Sequence, residues 1–246
     1  MNHKIIDINV DAGEGIGNES QLMPYIASCN IACGGHAGDF NTMQNVVKLA
    51  QQYRVKIGAH PSFPDKENFG RQPMDLSYAA LFSSIKSQID DLIKVLNREN
   101  ALLHHIKPHG ALYNLAAVDE PIAKVIIEVM KSIALPLKLY VPYKSVIADL
   151  ALKENIQITY EAFADRNYNT DLSLVSRSEK NALIEDFDLV FEHVFKMISE
   201  EKVKTIQDSE IDIIAETFCV HGDHPKAVDL IKNLNKKLKV NGYKIR

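Results

Sequence analysis

The sequence predicts an α/β protein built as one TIM-like barrel of about seven parallel strands, for three reasons. Strand-type and helix-type hydrophobic periods alternate from end to end, as they do in chains that lay βα units onto a parallel sheet. Several strands are apolar on one face and polar on the other, so the sheet has a wet side opposite its helix-covered side. Five strand ends join glycine to histidine or aspartate, a composition suited to tight turns close to a ligand. An open doubly wound sheet would satisfy the first observation equally. A closed barrel gathers the polar faces better.

The first strand, residues 5–11, places Ile6, Ile8 and Val10 on one face and Asp7, Asn9 and Asp11 on the other. Burying that second face is costly unless its groups bond to one another, to water or to a ligand. A second strand (29–33) precedes a helical stripe of Phe40, Met43, Val46, Val47, Ala50 and Tyr53. The third (55–60) ends in His60, before a long connection over 61–76. Ser77 then caps a helix whose stripe runs from Tyr78 to Leu96. The fourth strand (102–109) aligns His105, Lys107 and His109, and Asp119-Glu120-Pro121 opens the next helix. A fifth (137–141) and a sixth (158–163) follow, the latter leading into a second long connection over 164–181. In the seventh (217–221), His221 and then Asp223 continue the face of Cys219. Pro225 opens a last helix with the stripe Val228, Ile231, Leu234 and Leu238, and Gly242 stops it. Both long connections leave strand C-termini, the face where such folds bind ligands.

Composition narrows the function. The 246 residues are 46% hydrophobic and 24% charged, with a net charge of -4, as expected for one globular domain spanning 1–246 and not for a nucleic-acid binder. No stretch is apolar enough to span a membrane, and Asp7, Asp11 and Glu14 exclude a secretory leader. Cys29, Cys33 and Cys219 form no C-x-x-C pair and read as free thiols, so a cytoplasmic location is expected. Nothing matches the G-x-x-x-x-G-K-[ST] phosphate loop, and Gly13, Gly15 and Gly17 have the wrong spacing for a dinucleotide turn.

The ordered blocks D-I-N-V-D-A-G-E (from Asp7), N-I-A-C-G-G-H-A-G-D (from Asn30), I-G-A-H-P (from Ile57), F-G-R (from Phe69), K-P-H-G-A-L-Y-N (from Lys107), F-A-D-R-N-Y (from Phe163) and C-V-H-G-D (from Cys219) resemble the LamB/YcsF family along nearly the whole chain. Departures fall at Val10, Ala12, Gly35, Phe40, Asn181, His224 and residues 141–145, and none removes a charged motif residue. The resemblance implies a seven-stranded barrel related to glycoside hydrolase and deacetylase barrels. It also implies ATP-dependent hydrolysis of 5-oxo-L-proline to L-glutamate together with separate B and C subunits.

A lactam is a poor electrophile, so the implied reaction needs a base, cations for carboxylate and phosphoryl oxygens, and a proton for the departing nitrogen. Asp11, His60, Lys107 and His109 are the expected catalytic groups. Asp11 and His109 would handle water, while Lys107 and Arg71 would hold anionic oxygens, with Arg166 in reserve. Replacing Lys107 or Asp11 by alanine is expected to abolish turnover with the fold intact. Asp7, Asn9, Glu14, Asn30, His36, Arg71, Asn114, Asp165, Arg166, His221 and Asp223 are expected around the substrate. ATP, as co-substrate, is expected largely on the partner subunits. Two rivals stay open. One is a metal-dependent deacetylase or amide hydrolase acting alone, for which Asp11, His36, His60 and His109 suit zinc or manganese by type. The other is a non-catalytic substrate-binding subunit.

Overall fold

A computed structural model describes residues 4–222 and 226–245; Asp223 and Pro225 lie outside them. The strands are β1 Lys4–Ala12, β2 Ser28–Ala32, β3 Lys56–His60, β4 Leu103–Ile106, β5 Lys138–Pro142, β6 Gln157–Phe163, β7 Lys202–Lys204, β8 Glu210–Asp212, β9 Thr217–Val220 and β10 Tyr243–Ile245. Strands β1 to β6 pair in parallel with their sequence neighbours, and β9 joins β6 to β1, with Asp7 opposite Thr217. A seven-stranded parallel barrel results, as the polar strand faces predict.

Three short strands and four helices are absent from the sequence reading. Strand β10 pairs with the outer end of β1, and β7 and β8 form an antiparallel hairpin. Each has three residues, too few to show a period of two. Helix α7, Phe187–Glu200, is absent from it as well, as are the helices Glu19–Leu22, Gly110–Ala116 and Val146–Lys153.

The remaining helices are α1 Glu19–Leu22, α2 Phe40–Tyr53, α3 Tyr78–Arg98, α4 Gly110–Ala116, α5 Glu120–Lys131, α6 Val146–Lys153 and α8 Ala227–Val240. Their starts follow local chemistry: Asp39, Ser77 and Asp119 each accept a backbone N–H of the first turn. Helix α2 buries Met43, Val46, Val47 and Ala50, whereas Phe40 and Tyr53, at its two ends, overhang the barrel and stay exposed. Helix α8 buries Ile231, Leu234 and Leu238 as expected, adds Leu230, and leaves Val228 only half-buried. Gly242 follows it with φ +84°.

The alternation in β1 sets what faces inward. Ile6, Ile8 and Val10 join the core beneath the helices, and Asn9 and Asp11 point into the barrel. The fourth strand's ladder ends at Ile106, but Lys107 and His109 stay extended, their N–H groups donating to the carbonyls of Ala59 and Pro61. Gly58 on β3 makes room for the His105 ring: a Cβ there would sit 2.1 Å from Nε2 of His105.

Candidate active site

The barrel interior is polar from bottom to top. At the N-terminal ends of the strands, Asp7 accepts from Ser28 Oγ (2.6 Å), Thr217 Oγ1 (2.8 Å) and Lys56 Nζ (3.1 Å). One layer up, Asn9 donates to Glu161 Oε1 and to Thr217 Oγ1, and its own oxygen accepts from Asn30. Asn30 also donates to Asp11 Oδ1 and accepts from His105 Nε2 at 2.7 Å.

Lys107 crosses the barrel above this layer. Its Nζ lies 3.0 Å from Asp11 Oδ1, 3.1 Å from Glu161 Oε1 and 2.9 Å from Cys219 Sγ, and the residue is 2% exposed. Burial opposes its charge, but Asp11 foremost, with Cys219 and Glu161, holds its pKa well above the usual lysine range. Asp11 is the reciprocal case. Burial would raise its pKa, yet His60 and Lys107 pull it well below the carboxylate range.

Above Lys107 stand three histidines and a glutamate. His60 bonds through Nδ1 to the carbonyl of Lys107 (2.7 Å), and His109 through Nε2 to the carbonyl of Phe69 (3.0 Å). The second contact depends on a sharp bend, in which Phe69 and Gly70 both have positive φ. A side chain at Gly70 would also press on His36 Cβ at 3.0 Å. His36 stacks on His109, with ring centroids 3.7 Å apart, and bonds through Nε2 to Glu14 Oε1 at 2.9 Å. One ligand atom each from Glu14, His36, His60 and His109 lies within 4.8 Å of the others. Glu14, and not Asp11, completes this group; Asp11 touches it only at His60 Nε2, 3.3 Å away.

The group opens into a cavity of about 420 Å³, within the size range of small-molecule sites. It is lined by Asp11, Glu14, His60, Arg71, Lys107, His109, Asn114, Arg166 and His221. Asp165 stands behind His221, accepting its Nδ1–H (2.9 Å) and its backbone N–H (2.9 Å). Burial would raise the pKa of Asp165, but His221 and Arg166 hold it below its usual value.

Residues 6–246 match the LamB/YcsF family. The chain belongs to that family. It is 41% identical over 242 residues to the A subunit of 5-oxoprolinase in Haemophilus influenzae (strain PittEE), covering 98% of this chain and 99% of that one. A protein of the same name from Bacillus cereus (strain B4264) is 38% identical over 248 residues, with 98% of each chain covered. Among solved structures, a lactam utilization protein from Thermus thermophilus superposes with a TM-score of 0.92 at 33% identity, covering 98% of both chains. A candidate cellobiose-phosphate cleavage protein from Enterococcus faecalis shares the fold alone, with a TM-score of 0.59 at 12% identity, covering 100% of this chain and 97% of that one.

Several sequence-selected residues lie below the mouth or are held there by other protein groups. Asp7 lies at the opposite end of the barrel because β1 is nine residues long, and its partners there are all protein groups. Asn9 and Asn30 lie beneath Lys107 as its support. Arg166 touches the cavity, but its guanidinium donates to the carbonyls of Ala182 and Val175 and so pins the loop after β6; burial lowers its pKa to about 10. Lys107 lines the cavity, but its ammonium is enclosed by Asp11, Glu161 and Cys219 and serves as their counter-charge. Its alanine variant would therefore strand buried carboxylates, contrary to the expectation of an intact fold.

Sequence reading missed Glu161 and Arg177. The alternation of Thr159, Glu161 and Phe163 in β6 carried the signal for Glu161, being the same pattern read in β1. Arg177 sits in an irregular loop with no period to read, and lines both the mouth and a larger cavity of about 830 Å³ beside α7. Among the described residues no helix is long and apolar enough to cross a membrane, and all three cysteines are free.

Proposed function

We propose that the chain is the A subunit of an ATP-dependent 5-oxoprolinase, acting with separate B and C subunits to open 5-oxo-L-proline to L-glutamate. The observation that carries this reading is the 41% identity, over almost the full length of both chains, to a protein of that name. The mouth supports it, with carboxylates, imidazoles and arginines around a cavity fit for a small cyclic amide.

Amide resonance makes the lactam carbon unreactive. Transfer of the γ-phosphoryl group of ATP to the lactam oxygen releases ADP and removes that resonance. Water then adds to the ring carbon, the C–N bond breaks as the nitrogen takes a proton, and an acyl phosphate forms. A second water displaces phosphate and leaves glutamate. In this sequence Arg71 and Arg177, at the rim, hold the substrate carboxylate or the phosphoryl oxygens. Asp165 fixes the proton of His221 on Nδ1, so Nε2 is the acceptor that takes a proton from water. Asp11, kept ionised by His60 and Lys107, is a second acceptor deeper in the mouth. The sequence has no phosphate loop, which favours a nucleotide site largely on the partner subunits over a noncanonical one on this chain.

Mixing the purified chain with its B and C partners tests the assignment. Glutamate release should require all three proteins and ATP, and the isolated chain should show little 5-oxoproline-dependent ATPase. His221→Ala should lower glutamate release by about 10²–10⁴-fold without changing the circular dichroism spectrum. Full hydrolysis by the chain alone without ATP would overturn the assignment in favour of a lone amide hydrolase.

A further inference from the structure

We propose that Glu14, His36, His60 and His109 form a binding site for one divalent first-row transition ion, with Zn²⁺ the best fit. The first support is the tautomer pattern. The carbonyls of Lys107 and Phe69 accept only an N–H, so His60 is protonated on Nδ1 and His109 on Nε2. The remaining ring nitrogens, His60 Nε2 and His109 Nδ1, then present lone pairs to each other across 2.9 Å. Two lone pairs held that close repel unless a proton or a metal ion lies between or beside them, and a metal ion serves both rings at once. An outer carbonyl fixing the far nitrogen is also how metal-binding imidazoles are oriented.

Spacing is the second support. Bonds of 2.0–2.1 Å in a tetrahedral zinc site put ligand atoms about 3.3 Å apart. Here His36 Nε2 lies 2.9 Å from Glu14 Oε1, His109 Nδ1 lies 3.5 Å from it, and His60 Nε2 lies 3.9 Å from it. These values bracket the ideal edge, so small rotations would seat an ion.

Charge is the third. The side chains of Asp11, Glu14 and Glu161 are each less than a tenth exposed, and one ammonium, that of Lys107, stands among them. Three carboxylates against one lysine leave two negative charges, the charge a divalent ion neutralises. Three imidazoles and one carboxylate select a borderline ion over Mg²⁺ or Ca²⁺, which prefer all-oxygen shells. The open cavity above leaves room for a water or a substrate oxygen as a further ligand.

The experiment reads binding without substrate or partner subunits, so its outcome is separate from that of the hydrolysis assay. The full chain is stripped with a chelator, titrated with Zn²⁺ against a chromophoric competitor, and examined at the zinc K-edge. One equivalent should bind, with a nitrogen/oxygen shell at about 2.0–2.1 Å and no sulfur. His36→Ala, His109→Ala and Glu14→Gln should each weaken binding at least about tenfold while keeping the circular dichroism spectrum. Asp7→Asn, at the far end of the barrel, should bind as the parent does. Absence of a stoichiometric ion, a sulfur shell near ~2.3 Å, or unchanged affinity in the His36→Ala and His109→Ala proteins would each overturn the site.

Discussion

The floor and the mouth of the barrel are built from the same residue types and behave as opposites. In the floor, donors and acceptors alternate: His105 gives to Asn30, Asn30 to Asn9 and Asp11, Asn9 to Glu161 and Thr217, and Thr217 to Asp7. Each of these hydrogen bonds has a complementary pair, so the polarity there is structural. In the mouth, His60, His109 and Glu14 converge while the outer nitrogens of both rings are engaged by backbone carbonyls, and the cavity opens over them. Buried polarity by itself is therefore no sign of function.

The sharpest way to break the contrast is at the boundary. Lys107→Met should cost about 3–5 kcal/mol, because Asp11 and Glu161 lose their buried counter-charge. Urea unfolding of the variant measures this, and a loss below about 1 kcal/mol would mean that water already reaches the pair. Within the floor, Asn30→Ala should cost about 1–3 kcal/mol by leaving His105 and Asn9 with one partner fewer. An undiminished unfolding midpoint would remove the floor's claim to a structural role.

The smallest effect is electrostatic and lies in the wall of the mouth. The pKa of Asp165 is depressed in the folded chain, so its stabilisation is fully present above its ordinary value of 3.8 and is lost as pH falls through the lower, folded value. Stability of Asp165→Asn should accordingly converge on that of the parent in acid and diverge above about pH 4. A constant gap at every pH would show that Asp165 acts on His221 through hydrogen bonding alone.

How much was legible beforehand follows from which contacts are local. Alternation along β1 and β4 fixed which side chains face inward, and the cap residues Asp39, Ser77 and Asp119 fixed three helix starts, because both depend on residues a few positions apart. Glu161 was readable by the same rule. Height within the barrel was not. Asp7 and Asp11 share a face of one strand, yet four residues of rise put one at the N-terminal end and the other beneath the mouth. The choice of Glu14 over Asp11 beside the histidines, and the enclosure of the Lys107 ammonium by Asp11, Glu161 and Cys219, were likewise out of reach.

The amino-acid order alone determined the βα alternation, the inward polarity and the family. Those are written in neighbouring residues and in ordered motifs. Tertiary structure alone decided which lone pairs face one another. Strands far apart in the chain meet only when β9 closes against β1, and hydrogen-bond direction is then set by carbonyls, such as those of Phe69 and Lys107, that no local pattern announces.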